Sequence, residues 1–435
     1  MGVLMSISSI FHTQSLTPSI LPKHYTKTLE NGLQIVVVPL HNKSGVIETN
    51  VFYKVGSRNE VMGKSGIAHM LEHLSFKSTK NLKAGEFDEI VKGFGGVNNA
   101  STSFDYTRYF IKSSAENLDK SLELFAELMS NLALKDEEFA PERNVVAEER
   151  LWRTDNSPMG YLYFRFFNTA FVYHPYHWTP IGFMNDIQSW KIEDIVAFYE
   201  TYYQPQNAIV LVSGDIEPKV VFESATKYFG ALKNRAKIPE MSAKEPPQDG
   251  LRRAIIKKDS QAQYVAMGYK IPNFLHKDQV ALSAIGDILS NGKSSLLQTE
   301  LIDKQEIATS VYAYNMDMKD EGVFLIVATA KQGVEAEEIE KAIYRILDRI
   351  KAGDISQEEL DRLKINTRAD FIYSLESASS VADMFGSYLV RGDIAPLLTY
   401  ERDINALSVE KLKAVANTYF VTDSLSVVIL KDKEK

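Results

Sequence analysis

The chain has 435 residues, 45% hydrophobic and 24% charged, an ordinary globular composition that excludes collagen, coiled coil or disorder as a description of the whole. Lys and Arg number 49 against 57 Asp and Glu, a formal charge of −8, the wrong sign for a dedicated nucleic-acid binder. The absence of Cys excludes disulfide scaffolds, Cys-rich zinc fingers, iron–sulfur clusters and thiol catalysis.

At roughly 100–200 residues per domain the length suggests two to four domains. Residues 1–23 read as an N-terminal tail: the first 22 hold neither Lys nor Arg, and Ser, Thr, Gln and Pro break their apolar stretches. An export leader needs a basic start and a continuous apolar run, so cytoplasm is the default expectation, with the periplasm left open. No run of about 18 apolar residues occurs, and no membrane span is expected.

In chain order, Leu33–Pro39 is rich in β-branched residues and predicts a strand, and Glu48–Tyr53 alternates as its neighbour. Ser65–Phe76 and Phe87–Gly93 have helical patterns. Gly95–Asn99 reads as a turn, and Ala100–Phe110 alternates like a strand. Leu118–Leu134 carries apolar residues at helical spacing, and Asp136–Trp152 predicts a second long helix. Ile195–Tyr202 is helical, and Asn207–Ser213 is a strand ending at Gly214.

Around residues 233–250 apolar periodicity stops and Pro239, Pro246 and Pro247 appear among charges, a linker signal. Beyond it the order of elements restarts. Ile192–Val212 and Val409–Ile429 share a helix, an aromatic pair and an apolar strand, matched position for position at one constant offset. The expected fold class is therefore α+β. It would comprise two homologous domains, each an antiparallel sheet packed with helices, spanning residues 24–230 and 251–435 with a linker at 231–250.

The segment Gly66–His73, GIAHMLEH, carries the chemistry. His69 and His73 are four apart on a predicted helix and share one face. Two neutral imidazoles at that spacing can bind one metal ion, and Glu72 between them can take the proton of a water at the metal. This is the His-x-x-Glu-His order of the inverzincins. A catalytic zinc site needs a third protein ligand and one open position. The helix at Glu142–Arg150 offers Glu142, Glu148 and Glu149; Glu142 and Glu149 share a face and Glu148 points elsewhere.

The sequence resembles the pitrilysin-type zinc peptidases, among them the zinc-bearing subunit of mitochondrial processing peptidase and its bacterial relatives, over nearly its whole length. The resemblance rests on Val55–Thr79 around the metal helix, on Gly95–Tyr109 (GGVNNASTSFDYTRY), on His174-Pro175-Tyr176 with Pro180-Ile181-Gly182, and on Tyr202–Pro205 with Gly214-Asp215. It implies a processing-peptidase-like metallohydrolase fold and one Zn2+ per chain, bound by His69, His73 and Glu149; Glu149 follows His73 at the family's spacing. It implies Glu72 as general base, Glu142 as a carboxylate supporting the site, and Asn99, Ala100, Ser101 and Thr102 as a strand edge that takes up an extended peptide.

In the second half, Ala284–Leu297 stands where the metal helix would be and has no His. Where self-sufficient family members carry an Arg and a Tyr that grip the peptide, this chain has Ile302 and Thr309. The expectation is a zinc endopeptidase acting on short or unfolded peptides in a closed chamber. It would be completed by a homologous partner subunit in a heterodimer, or else by a homodimer. The alternative is a non-catalytic peptide-binding or assembly subunit that retains zinc.

Overall fold

The computed structural model describes residues 20–433, so all but the last four residues of the expected tail lie outside the described residues. The first sheet contains β1 (Tyr25–Thr28), β2 (Gln34–Pro39), β3 (Val46–Tyr53), β4 (Val97–Thr102), β5 (Thr107–Ser114) and β6 (Ala208–Gly214), in the order β1-β2-β6-β3-β5-β4. The second contains β7 (Arg252–Lys258), β8 (Tyr264–Ile271), β9 (Ala308–Met316), β10 (Gly322–Ala330) and β11 (Leu425–Asp432), in the order β7-β11-β8-β10-β9. Without β1, the two orders are the same.

The expected antiparallel sheets are mixed: β2 runs parallel to β6, and β7 to β11. Each closing strand returns after a long helical excursion, and such a crossover permits parallel entry where a short hairpin does not. The expected turn at Gly95–Asn99 and single strand Ala100–Phe110 are a hairpin, with β4 starting at Val97 and the chain reversing at residues 103–106. Ser103 makes that turn, its Oγ accepting the backbone N–H of Asp105 and Tyr106 at 3.2 and 3.1 Å.

The first half of the chain also supplies α1 (Ile67–Leu74), α2 (Glu86–Gly93), α3 (Leu118–Asn131), α4 (Asp136–Arg150), α5 (Pro158–Ala170), α6 (Met184–Ser189), α7 (Ile192–Tyr202) and α8 (Pro218–Phe229). The second half supplies α9 (Gln279–Ser290), α10 (Ala336–Ala352), α11 (Gln357–Ser374), α12 (Ala378–Arg391), α13 (Ala395–Asn405) and α14 (Val409–Tyr419). The helix–strand pairs α7–β6 and α14–β11 stand at equivalent places in their sheets, and helix and strand starts are displaced along the chain by the same offset.

Both sheets are buried on both faces, which is why their central strands read as unbroken apolar runs. On β2, Ile35 and Val37 face the first core while Val36 and Val38 face the other way; on β6, Val210 and Val212 oppose Ile209 and Leu211. The outward face of each sheet is covered by a helix from the other half of the chain. Val381, Ala382 and Phe385 of α12 close the first sheet; Leu162, Phe166 and Ala170 of α5 close the second. The exchange is tight. A Cβ on Gly386 of α12 would lie 2.1 Å from the Phe52 ring, and one on Gly268 of β8 would lie 2.2 Å from the Phe166 ring.

Candidate active site

The helix α1 is seated by buried polar contacts at its start. Gly66 precedes it at φ +88°, and a Cβ there would meet the Ile181 carbonyl oxygen at 2.7 Å. Its side chain cannot cap, so a remote carboxylate does. Glu60 is buried and accepts the N–H of Gly66 at 2.8 Å, of Ala68 at 2.9 Å and the Trp178 indole N–H at 2.7 Å. Ser65 is held in turn by Asp186, through its N–H at 2.9 Å and its hydroxyl at 2.5 Å. These contacts fix the helix that presents His69, Glu72 and His73.

The adjoining α4 presents Glu142 and Glu149. Donor atoms of His69, His73 and Glu149 all lie within 4.8 Å of one another. Glu149 Oε2 is 3.7 Å from His69 Nε2 and 3.3 Å from His73 Nε2. A tetrahedron with arms of about 2.0–2.2 Å has edges of about 3.3–3.6 Å, so this donor set fits zinc. The other oxygen, Oε1, pairs with Arg153 at 2.9 Å, leaving Oε2 toward the imidazoles.

His73 Nδ1 lies 2.8 Å from Glu142 Oε1, whose partner Oε2 is 2.6 Å from Lys77 Nζ. A carboxylate only accepts, so the neutral imidazole keeps its proton on Nδ1, and loss of the Nε2 proton leaves a lone pair facing the cluster. Burial and the neighbouring His73 push His69 down to about 4. His69 is therefore neutral, and among the described residues its buried Nδ1 has no hydrogen-bond partner. Burial opposes a proton on His73, but the bonds to Glu142 and Glu149 outweigh it and hold the group up at about 9. Burial also opposes ionisation of those two carboxylates, yet His73 with Lys77 keeps Glu142 low, and His73 with Arg153 keeps Glu149 low.

Glu72 stands beside this set, its carboxyl pushed up by burial and pulled back by the Thr102 hydroxyl, which donates to Oε2 at 2.5 Å. Of the four residues expected on the peptide edge, all lie on β4, which among the described residues pairs only with β5 and ends the sheet. Asn99 and Ser101 face outward; Ala100 packs on the first core. Asn99 shares with Glu72, His73, Phe76 and Glu142 an open cavity of about 420 Å³. Ile302 packs against the second core, and the Thr309 hydroxyl reaches only the Thr329 carbonyl oxygen at 3.5 Å. Sequence reasoning missed Glu60, Arg153 and the Thr102–Glu72 contact. Each sits in a loop, a π-helical turn or a strand end, where no periodicity signals a partner.

Two imidazoles and a carboxylate on adjoining helices, with a further carboxylate beside them, make the donor set of a mononuclear zinc hydrolase. A family model described as Insulinase (Peptidase family M16) matches residues 36–162, and one described as Peptidase M16 inactive domain matches residues 189–367. The zinc protease PqqE of Helicobacter pylori is 60% identical over 432 residues, covering 99% of this chain and 96% of that protein. The crystal structure of a protease from Helicobacter pylori aligns with a TM-score of 0.93 at 60% identity, covering 94% of this chain and 100% of that one. The probable mitochondrial-processing peptidase subunit beta of Arabidopsis thaliana is 26% identical over 425 residues, covering 93% of this chain and 78% of that protein. The chain belongs to the peptidase M16 family and is a zinc metallopeptidase.

Proposed function

We propose that this chain is the zinc-bearing member of an endopeptidase that cleaves short or unfolded peptides bound as an added strand on β4, with His69, His73 and Glu149 as zinc ligands. The observation that carries the reading is the meeting, around one cavity, of Asn99 on a sheet edge unpaired among the described residues, Glu72, and His73 of the three-donor cluster. Zinc in such a donor set supplies Lewis acidity, lowering the pKa of water to about 7 and polarising a carbonyl. The chain's own residues do the rest. Glu72 takes the proton of the attacking water on its free Oε1 and returns it to the leaving amine nitrogen. Glu142 keeps the His73 Nδ1 proton in place, so that Nε2 stays aimed. Backbone pairing along β4 aligns the peptide independently of most of its side chains.

A homologous chain bearing the missing Arg and Tyr completes the enclosed chamber, because Ile302 and Thr309 offer neither a cation nor a phenol to a developing oxyanion. The same two residues favour a second reading, a zinc-retaining subunit that binds peptide without turnover. Glu72→Gln decides between them: the variant keeps one zinc and loses the cleavage of the wild-type chain, tested alone and mixed with its homologue. Undiminished cleavage by the variant removes Glu72 as the base, and no cleavage by the zinc-loaded wild type in either setting supports the second reading.

A further inference from the structure

We infer that Thr102 is a positioning residue for Glu72, so that the strand edge receiving the peptide also aims the group that moves the proton. The inference rests on the reading of Glu72 as general base. Among the described residues, the Thr102 hydroxyl is the sole hydrogen-bond donor to the Glu72 carboxylate. The terminal torsion of a glutamate is broad and roughly two-fold, so a carboxylate without a partner samples many orientations. One short O–H···O⁻ bond to Oε2 removes that freedom and leaves Oε1 for the water; such charge-assisted bonds are about twice as strong as neutral ones.

The donor itself is held. Thr102 is the last residue of β4, paired with Thr107 across the hairpin, whose hydroxyl is anchored on the Val55 carbonyl oxygen at 2.9 Å. The next residue is fixed on both sides: Ser103 N–H donates to Tyr106 O at 2.8 Å, and Ser57 N–H donates to Ser103 O at 3.2 Å. There is no slack behind it, since a Cβ on Gly56 would lie 2.4 Å from the Ser103 carbonyl oxygen. A β-branched side chain on that backbone has few χ1 choices. Its neighbours Ser101 and Asn99 are exposed. The fixed end of β4 thus aims Glu72 through one hydroxyl.

The test compares Thr102→Val, which keeps the shape and removes the hydroxyl, with Thr102→Ser, which keeps the hydroxyl, each zinc-loaded and beside Glu72→Gln. Thr102→Val should lower kcat by about 10- to 100-fold, a share of what a positioned base contributes. KM and zinc content should stay within about twofold, and Thr102→Ser should restore most of the rate. A crystal structure of Thr102→Val should show the Glu72 carboxylate displaced or in two conformers. A Thr102→Val rate within twofold of wild type, or a loss that appears in KM or zinc content instead, overturns the inference. So does a Glu72 side chain unmoved in the variant crystal. If Thr102→Val does not fold, Thr102→Ala takes its place with the same expectations. Persisting cleavage by Glu72→Gln defeats the underlying reading of the base; a dead Glu72→Gln beside a fully active Thr102→Val defeats the positioning role alone.

Discussion

Glu142→Gln should weaken zinc binding, and by more at high pH than at neutral pH. Glu142 is buried, with one oxygen 2.8 Å from His73 Nδ1 and the other 2.6 Å from Lys77 Nζ. Glutamine can still accept from Nδ1, but its NH2 group then faces a cation. Replacing a charge-assisted hydrogen bond by a neutral one costs about 1 kcal/mol, and the stranded, one-third exposed Lys77 adds about 0.5–1. At about 1.4 kcal/mol per decade, the loss is about 10- to 30-fold, within the range typical of groups that hold a metal ligand. A second effect has the opposite sign. Zinc must displace the proton that Glu142 and Glu149 hold on His73 up to about pH 9. Removing Glu142 lowers that pKa, and each unit of lowering returns about a factor of ten at pH 7. The full loss therefore appears near pH 9.5, and a much smaller one at pH 7. Competition with a chromophoric zinc chelator at both pH values measures it. Equal affinities for variant and wild type at pH 9.5 would refute the role assigned to Glu142.

Zinc binding at pH 7 should release close to one proton, read from heats in two buffers of different ionisation enthalpy, because His73 holds its proton up to about 9 while His69, at about 4, has none to give. The same raised value bears on the metal-free protein. A histidine lifted from 6.5 to about 9 stabilises the fold fully below pH 6.5 and loses that contribution as pH rises through 9, up to about 3 kcal/mol. Metal-free unfolding midpoints should fall across that window; a flat profile would show that His73 is not protonated in the fold. Gly386→Ala should destabilise by about 1–3 kcal/mol, since its Cβ would lie 2.1 Å from the fully buried Phe52 ring. Adding Phe52→Leu should recover part of the loss in denaturant titrations, and strict additivity of the two changes would contradict the contact.

Much of the site was legible because it sits on regular elements. The helical period put His69 and His73 on one face of α1, and seven-residue spacing put Glu142 and Glu149 on one face of α4. Periodicity alone could not choose between Glu142 and Glu149; the choice came from family resemblance. The constant offset between the two halves was legible because α7–β6 and α14–β11 fill equivalent places against their sheets. What escaped lacks a period. The hairpin at residues 103–106 hid inside an alternating run, because its reversal is closed by a Ser103 backbone bond and the Ser103 hydroxyl rather than by Gly or Pro. The helix α5 has a broad apolar arc, Leu162, Phe166, Phe167, Ala170 and Phe164, packed between the first half and the second sheet. The exchange of α5 and α12 between sheets is a property of packing, announced in sequence only by Gly268 and Gly386, whose reason is a phenyl ring far away in the chain.

The central claim, metal-dependent peptide hydrolysis at the α1–α4 centre, is tested most directly by cleavage of a quenched fluorescent peptide mixture. The purified chain, alone and with its homologue, is assayed before chelation, after o-phenanthroline, and after zinc is added back. Cleavage that stops with the chelator, returns with about one equivalent of zinc and is absent from zinc-loaded Glu72→Gln is the predicted result. Cleavage that continues in protein shown by elemental analysis to be free of metal would contradict the account.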